Sequence, residues 1–358
     1  MHGIWRRNHR RLWYGIVGAL AVFMALLVIL IDRRSTPAPL PSSTKAPFQV
    51  IGFYQNPAPR SSEPTSMSSF SAHWSKMTTV SPLWFAVGPS GSVLNTGYTR
   101  SLIHMAHVHH RLVVPLFVNA KGSTAVLWRA STRHLAAANI KAAVKKYHLD
   151  GINLDFELLK PNSRADFSKF VADVHTALQP LNKVVAVSVF PLVGVPRSVN
   201  GAEDYAELSK SANYLVVMAY DHHYSGGPPG PVAPYPWVRA NVTRALTLAP
   251  AHKLVLAIGM YGYDWINNGK PGPAQTVPDV AARQLAKAHG VTPRFDRANS
   301  QNTFTYHAAG VSHVVWYMGD RSAKVRVSLA KKERLGGVAL WHLGDENAGF
   351  WRDIPGRP

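Results

Sequence analysis

Asp155 and Glu157 stand two residues apart in the run Asp150-Gly151-Ile152-Asn153-Leu154-Asp155-Phe156-Glu157, framed by Ile, Leu and Phe. This alternation has the period of a buried β-strand. On such a strand Asn153, Asp155 and Glu157 share one face, and Ile152, Leu154 and Phe156 share the other. An unpaired charge is costly to bury, so acids crowded onto a buried strand point to chemistry before stability. Glycosidic bond cleavage is the commonest reaction that needs one carboxyl held protonated beside one held ionised. A structural ion pair is the plainer alternative.

In an α/β barrel such groups sit at the carboxyl ends of the strands, and the rest of the chain supplies the strands. From Phe48 onward, apolar runs alternate with helical patterns, the mark of a parallel sheet with crossover helices. Strands are predicted at 48–55, 80–87, 112–119, 149–157, 184–190, 214–221, 254–262 and 337–343, as many as a (β/α)8 TIM barrel needs. After the fourth, Asn162 or Ser163 is placed to cap a helix whose apolar stripe is Phe167, Phe170, Val171, Val174 and Leu178, with Pro180 as its stop. That helix should cover Ile152, Leu154 and Phe156. The stretch 263–336 is too long for a plain loop. It holds a helix-like piece at 280–289 and a hairpin-like pair, 302–307 and 312–318, around Ala308-Ala309-Gly310. It reads as a small α+β insertion between the seventh and eighth strands.

Other predicted strand ends carry matching residues. The sixth ends in Met218-Ala219-Tyr220-Asp221, followed by His222-His223-Tyr224 and a Gly/Pro-rich stretch. The seventh ends in Tyr261-Gly262-Tyr263-Asp264-Trp265, and the eighth contains Trp341. Acids and flat rings around one rim suit a sugar. Trp237, Tyr263 and Trp265 read first as packing, and Tyr220 and Trp341 have core packing as their plain alternative. His104, His107, His109 and His110 read as solvated helix and loop residues, because no acid cluster accompanies them. Neither a metal nor a cofactor is expected.

With these residues in view the chain resembles glycoside hydrolase family 18, the chitinase-like barrel. Within it, the chain is similar to the bacterial spore-cortex and cell-wall N-acetylglucosaminidase branch. The family signature Asp-x-x-Asp-x-Asp-x-Glu is matched by Asp150, Asp155 and Glu157, with Asn153 in place of the second Asp. Met218-Ala219-Tyr220-Asp221, Pro228-Pro229-Gly230-Pro231-Val232-Ala233, Gly259-Met260-Tyr261-Gly262-Tyr263-Asp264-Trp265 and Gly337-Val338-Ala339-Leu340-Trp341 carry the likeness to that branch. The resemblance spans about 48–351. It implies a retaining, substrate-assisted mechanism, in which the sugar's own 2-acetamido group is the nucleophile. Glu157 would be the general acid, Asp155 would hold the acetamido N–H, and Tyr220 would donate to its oxygen. Asp150, Asn153, Met218, Asp221, Tyr261 and Trp341 would line the substrate. Asn153 cannot take up a proton as an Asp there could, which bears on the pH profile. The implied polymer is peptidoglycan, with chitin and its oligomers as the alternative. A non-hydrolytic sugar-binding relative would usually lack the acid that Glu157 supplies here.

The remaining sequence speaks to place and partners. The chain has 358 residues, 46% of them hydrophobic, and no cysteine, so disulfides and thiolate chemistry are excluded. Arg6, Arg7, Arg10 and Arg11 precede an uncharged run, 12–31, long enough for a membrane-spanning helix of about 20 residues. Segment 1–34 is therefore expected to anchor the chain, with the catalytic part outside the cell; a cleaved export signal is the alternative. Segment 35–47, rich in Pro, Ser and Thr, reads as a tether, and 48–358 as the catalytic barrel. The formal net charge is +20. Removing the six Arg and one Asp of residues 1–34 leaves 33 basic and 18 acidic residues, or +15. The cations look scattered along the sequence and match no nucleic-acid motif, so anionic wall polymers are the expected partners of a monomer, with adaptation to an acidic medium as the plainer reading.

Overall fold

Eight parallel strands close on themselves in the computed structural model, which describes residues 47–56 and 65–354. In ring order they are Gln49–Tyr54, Thr79–Val87, Leu116–Asn119, Gly151–Asp155, Val184–Val189, Tyr214–Val217, Leu254–Gly259 and Gly337–Trp341. The eighth pairs with the first through Gln49↔Gly337, and the first with the second through Ile51↔Thr79. This is a (β/α)8 TIM barrel. The strands are runs of buried residues, such as VVAVSV in the fifth and LVLAIG in the seventh, as expected where both sheet faces are covered. Ile51, Phe53, Leu116, Val216, Val255, Ala257 and Ala339 point inward and fill the barrel. The outward residues meet the helices in a larger core.

Where strand lengths depart from the predicted ones, local chemistry explains it. The run 112–119 breaks into Leu112–Val113 and Leu116–Asn119 around Pro115, which has no N–H for the ladder. The fourth strand stops at Asp155, and Leu158 takes a left-handed φ of 53°. The sixth stops at Val217. Beyond it the Ala219 N–H donates to Val217 O and the Tyr220 N–H to Met218 O, and Asp221 has φ 55°. Both departures turn acid-bearing segments out of the ladder at the barrel mouth.

The covering helix is Arg164–Leu178, with Phe167, Phe170, Val171, Val174 and Leu178 buried. The Phe156 ring lies 6.0 Å from that of Phe167 and 5.4 Å from that of Phe170. Ser163 precedes the helix but makes no side-chain cap hydrogen bond. A one-turn 3-10 helix, Pro161–Ser163, leads into it instead.

Between the seventh and eighth strands lies a five-stranded antiparallel sheet of Tyr261–Ile266, Ala274–Pro278, Arg294–Asp296, Gln301–Ala308 and Val311–Tyr317, with the helix Asp279–Ala288. The hairpin turn Ala309-Gly310 has φ of 50° and 76°, the left-handed pair a tight two-residue turn requires. The insertion is narrower than 263–336. It starts at Tyr261, and the helix Asp320–Lys332 beyond it packs on the seventh and eighth barrel strands. Arg326 of that helix is fully buried. It donates to the carbonyls of Ala233, Asn299, Ser300 and Ser322, joining a rim loop, the insertion and the barrel in one set of bonds.

The expected anchor and most of the tether fall in residues 1–46, outside the described residues. Among the described residues no helix is long and apolar enough to cross a membrane.

Asp150 corrects the sequence reading. It lies before the start of the fourth strand, at the end of the barrel opposite Asp155, and cannot line the substrate. Its Oδ2 accepts the Val113 N–H at 2.9 Å and meets His107 Nε2 at 2.8 Å; Lys183 Nζ is 3.6 Å from Oδ1. His107 therefore has an acid partner, unlike its expected solvated state. Removing a buried carboxylate strands its partners. Asp150→Ala should lower unfolding free energy by about 2–4 kcal/mol, measured by urea denaturation, while turnover per folded molecule stays unchanged.

Candidate active site

The mouth of the barrel is built outward from its apolar filling. Tyr220 and Trp341 rest on that plug, and the Trp341 ring stands edge-on to Phe53 with centroids 5.3 Å apart. Asp155 ends the fourth strand beside them and is 8% exposed. Asn153, two residues deeper on the same face, accepts a hydrogen bond from Ser188 Oγ at 3.3 Å, and Ser188 also hydrogen-bonds Asp155. Asp155 Oδ1 has no partner. Burial, and then the negative charge of Glu157, push the Asp155 carboxyl up to about 7, against the Ser188 hydrogen bond.

Glu157 follows the strand end, where Asn119 of the third strand clasps its backbone. Asn119 Nδ2 donates to the Glu157 carbonyl at 3.0 Å, and the Glu157 N–H donates to Asn119 Oδ1 at 3.1 Å. The backbone is thereby fixed while the carboxyl reaches the rim. Loss of hydration, then the charge of Asp221, raise its pKa above the ordinary carboxylate value. Asp221 Oδ1 accepts from the hydroxyls of Tyr261 at 2.6 Å and Tyr263 at 3.0 Å; burial still raises its pKa against those bonds. The Tyr220 phenol is pushed far above 10 by burial and then by Asp155, Asp221 and Glu157. It stays protonated and can donate to a ligand's oxygen at neutral pH.

The structure thus gathers Asp155, Glu157, Tyr220, Asp221, Tyr261 and Trp341 at one mouth. Asn153 lies a layer below, and Met218 is buried, its N–H donating to Val189 O. Tyr263, expected as packing, holds Asp221 and belongs to the rim. Trp237 and Trp265 do pack: the first donates to Val193 O at 2.7 Å and the second is fully buried. Three contributors escaped the sequence reading. Asn119 carries the one usable signal, a polar residue at the carboxyl end of a strand adjoining the acidic one. Ser188 is a hydroxyl hidden in a valine run. Glu203 is buried, accepts the Phe190 N–H at 2.7 Å, and is raised well above the usual carboxylate range by burial, with Asp155 and Glu157 adding to the rise. Among the described residues no group of three His, Asp or Glu side chains could hold a metal.

Chemically, this is a carboxyl able to carry a proton at neutral pH, an exposed acid beside it, a fixed phenol donor and a half-exposed indole. The set can protonate a leaving oxygen and steady a cation on a flat, partly apolar ring.

The family model for glycosyl hydrolases family 18 matches residues 103–346. The chain is 32% identical over 214 residues to an uncharacterized glycosylase, YvbX, of Bacillus subtilis, covering 59% of this chain and 62% of that protein. It is 28% identical over 236 residues to the cortical fragment-lytic enzyme of Bacillus anthracis, covering 64% of this chain and 54% of that one. The chain thus spans little more than half the length of these relatives. Among solved structures, the spore cortex-lytic enzyme SleL of Bacillus cereus superposes with a TM-score of 0.80 at 25% identity, over 88% of this chain and 75% of that one. A chitinase of Chromobacterium violaceum superposes with a TM-score of 0.79 at 27% identity, over 86% and 98%.

The raised carboxyl has a signed consequence for stability. With a folded pKa of about 7 against an ordinary 3.8, protonation of Asp155 favours the native state. That contribution is complete below about pH 4 and is lost as pH rises to about 7. The stability of the native chain relative to Asp155→Asn should therefore fall by on the order of 3 kcal/mol between about pH 4 and 8, read by denaturant titration. A difference that stays constant with pH would mean that Asp155 ionises normally.

Proposed function

We propose, for a chain that belongs to glycosyl hydrolases family 18 and is a glycosidase, that it cleaves β-1,4 linkages of peptidoglycan beside N-acetylglucosamine by a retaining, substrate-assisted route. The observation that carries this reading is the pairing of Asp155, its pKa near neutrality, with an exposed Glu157 beside the Tyr220 phenol. Glu157 gives its proton to the glycosidic oxygen as that bond breaks. The carbonyl oxygen of the sugar's own 2-acetamido group attacks the anomeric carbon, forming a cyclic oxazolinium ion. With the proton of the pair on Glu157 before it is given up, the ionised Asp155 accepts the acetamido N–H and offsets the developing positive charge, while Tyr220 donates to the acetamido oxygen and orients it. Water then attacks the anomeric carbon and gives its proton to Glu157, reopening the acetamido group with net retention. Trp341 is placed to stack on the reacting ring.

The surrounding residues tune this cycle. Asp221 keeps Glu157 inclined to hold its proton, and Tyr261 and Tyr263 keep Asp221 in place. Ser188 ties Asp155 to Asn153, which accepts no proton, so the exchangeable proton stays with the Asp155–Glu157 pair.

The cortex-lytic names among the relatives favour peptidoglycan. The likeness to a chitinase keeps chitin oligomers as the second substrate to test. For location, the basic start and the uncharged run 12–31 support a membrane anchor with the barrel on the outer side.

Glu157→Gln should reduce the release of reducing ends by about 10³-fold or more while retaining saccharide binding. Retained turnover would remove the mechanism. Tyr220→Phe should slow turnover by about 10- to 100-fold with a smaller change in KM, since the phenol serves the acetamido oxygen as it attacks. Purified peptidoglycan and chitin oligomers, assayed in parallel, identify the polymer.

A further inference from the structure

The two most exposed large apolar side chains among the described residues stand on neighbouring loops of the mouth, beside Glu157. Trp128, 66% exposed, ends the loop after the third barrel strand, and Leu158, 64% exposed, directly follows the acid. Both have rigid roots. Val126 and Leu127 are buried before Trp128, and the Leu127 carbonyl accepts from Arg133 Nη1 at 2.8 Å. Arg133 also lies 3.4 Å from Asp173 and 3.7 Å from Asp166, tying this loop to the covering helix that follows the next one. The Asn119 clasp joins the two loops at their base, and Leu159 is buried after Leu158. Cations flank both apolar residues. Lys121, Arg129 and Lys160 are exposed, and segments 120–131 and 158–163 contain no acid. None of the three makes an ion pair among the described residues. Cations stand on many surfaces of this chain, but Lys145, Lys146, Lys331 and Lys332 occupy the carboxyl ends of their helices, where the helix dipole favours them. Arg129 stands at the amino end of the helix Ala130–Lys146, whose first turn has no acid. The dipole opposes a cation there, so stability does not account for it.

We propose that this edge of the mouth binds the leaving saccharide unit and selects one that carries a carboxylate, with Trp128 as its stacking floor and Arg129 and Lys160 as its charge partners. The inference rests on the proposed reaction and names the leaving group of that same site. Glu157 hands its proton to the oxygen of the leaving unit, so that unit lies against Glu157, and the loops against Glu157 are the third and the fourth. An indole takes the apolar face of any pyranose. A guanidinium and an ammonium take an anion, and a chitin chain offers none. In peptidoglycan every second sugar carries a 3-O-lactyl ether, an acid with a methyl group, either free or extended by a peptide with carboxylates of its own. Where the reacting ring is N-acetylglucosamine, the next unit is therefore the acidic one. Leu158, two residues from Lys160, offers the lactyl methyl an apolar partner. Exposed ion pairs are weak, each worth up to about five-fold in affinity, so the edge sets preference between polymers and leaves the chemical step to the mouth.

The test compares two forms of a tetrasaccharide of alternating N-acetylglucosamine and N-acetylmuramic acid, one with free lactyl carboxylates and one with them methyl-esterified. Calorimetry on the full-length Glu157→Gln chain should give a Kd about three- to ten-fold lower for the free acid. That preference should disappear at about 1 M salt and when R129Q/K160Q is added, and R129E/K160E should invert it. Trp128→Ala should weaken both forms alike, by about two- to ten-fold. Trp128, Arg129 and Lys160 are exposed, so these substitutions leave the core untouched. In the unsubstituted chain the same ratio should appear in kcat/KM, carried by KM more than by kcat. Equal Kd values for the two forms overturn the proposal. So does a preference that survives R129Q/K160Q, which would place the carboxylate elsewhere, and so does a Trp128→Ala chain that binds both forms unchanged. Binding reads the edge, and release of reducing ends reads the mouth. A Kd preference without hydrolysis of either form would sink the proposed reaction alone; hydrolysis of both forms with equal Kd values would sink this inference alone.

Discussion

A carboxyl group buried beside another, with one oxygen unpartnered, is the constraint around which this barrel is arranged. Asp155 is kept from water by the apolar plug beneath it and by Tyr220 and Trp341 around it. No described cation compensates it, and the only hydrogen bond opposing its rise in pKa comes from Ser188. A group in that position holds its proton where an ordinary Asp would have lost it. Glu157, Asp221 and Glu203 extend the same condition outward: each is raised chiefly by burial, and Glu157 and Glu203 also by a neighbouring carboxyl. The mouth holds protons because burial outweighs the hydrogen bonds that oppose it.

The other end of the same strand shows what the fold does with an acid it intends to silence. Asp150 is as buried as Asp155 and lies about 16 Å away along the strand, yet it meets a backbone N–H, an imidazole and an ammonium. The contrast separates structural from chemical carboxylates more sharply than burial does. It also explains why a signature read along the chain misleads in part: Asp150 belongs to the motif by spacing but serves the barrel's closed end.

How much of this was legible in sequence follows from which physical signals are local. The eight strands announce themselves because a strand buried on both faces is a continuous apolar run bounded by turn residues, and the Phe167–Leu178 stripe follows from helix periodicity. The aromatic and acidic residues at strand ends are visible because the barrel sends every strand's carboxyl end to one mouth. What stayed hidden depends on contacts across strands. Asn119 reads as one more polar strand end until its amide is seen clasping the Glu157 backbone. Tyr263 reads as packing until its hydroxyl is seen on Asp221. Nothing in the sequence marks Arg326, around which four carbonyls from three segments gather. The limits of the insertion were hidden too, because the helix Asp320–Lys332 continues the barrel's alternation directly after the hairpin, and only packing tells the two apart.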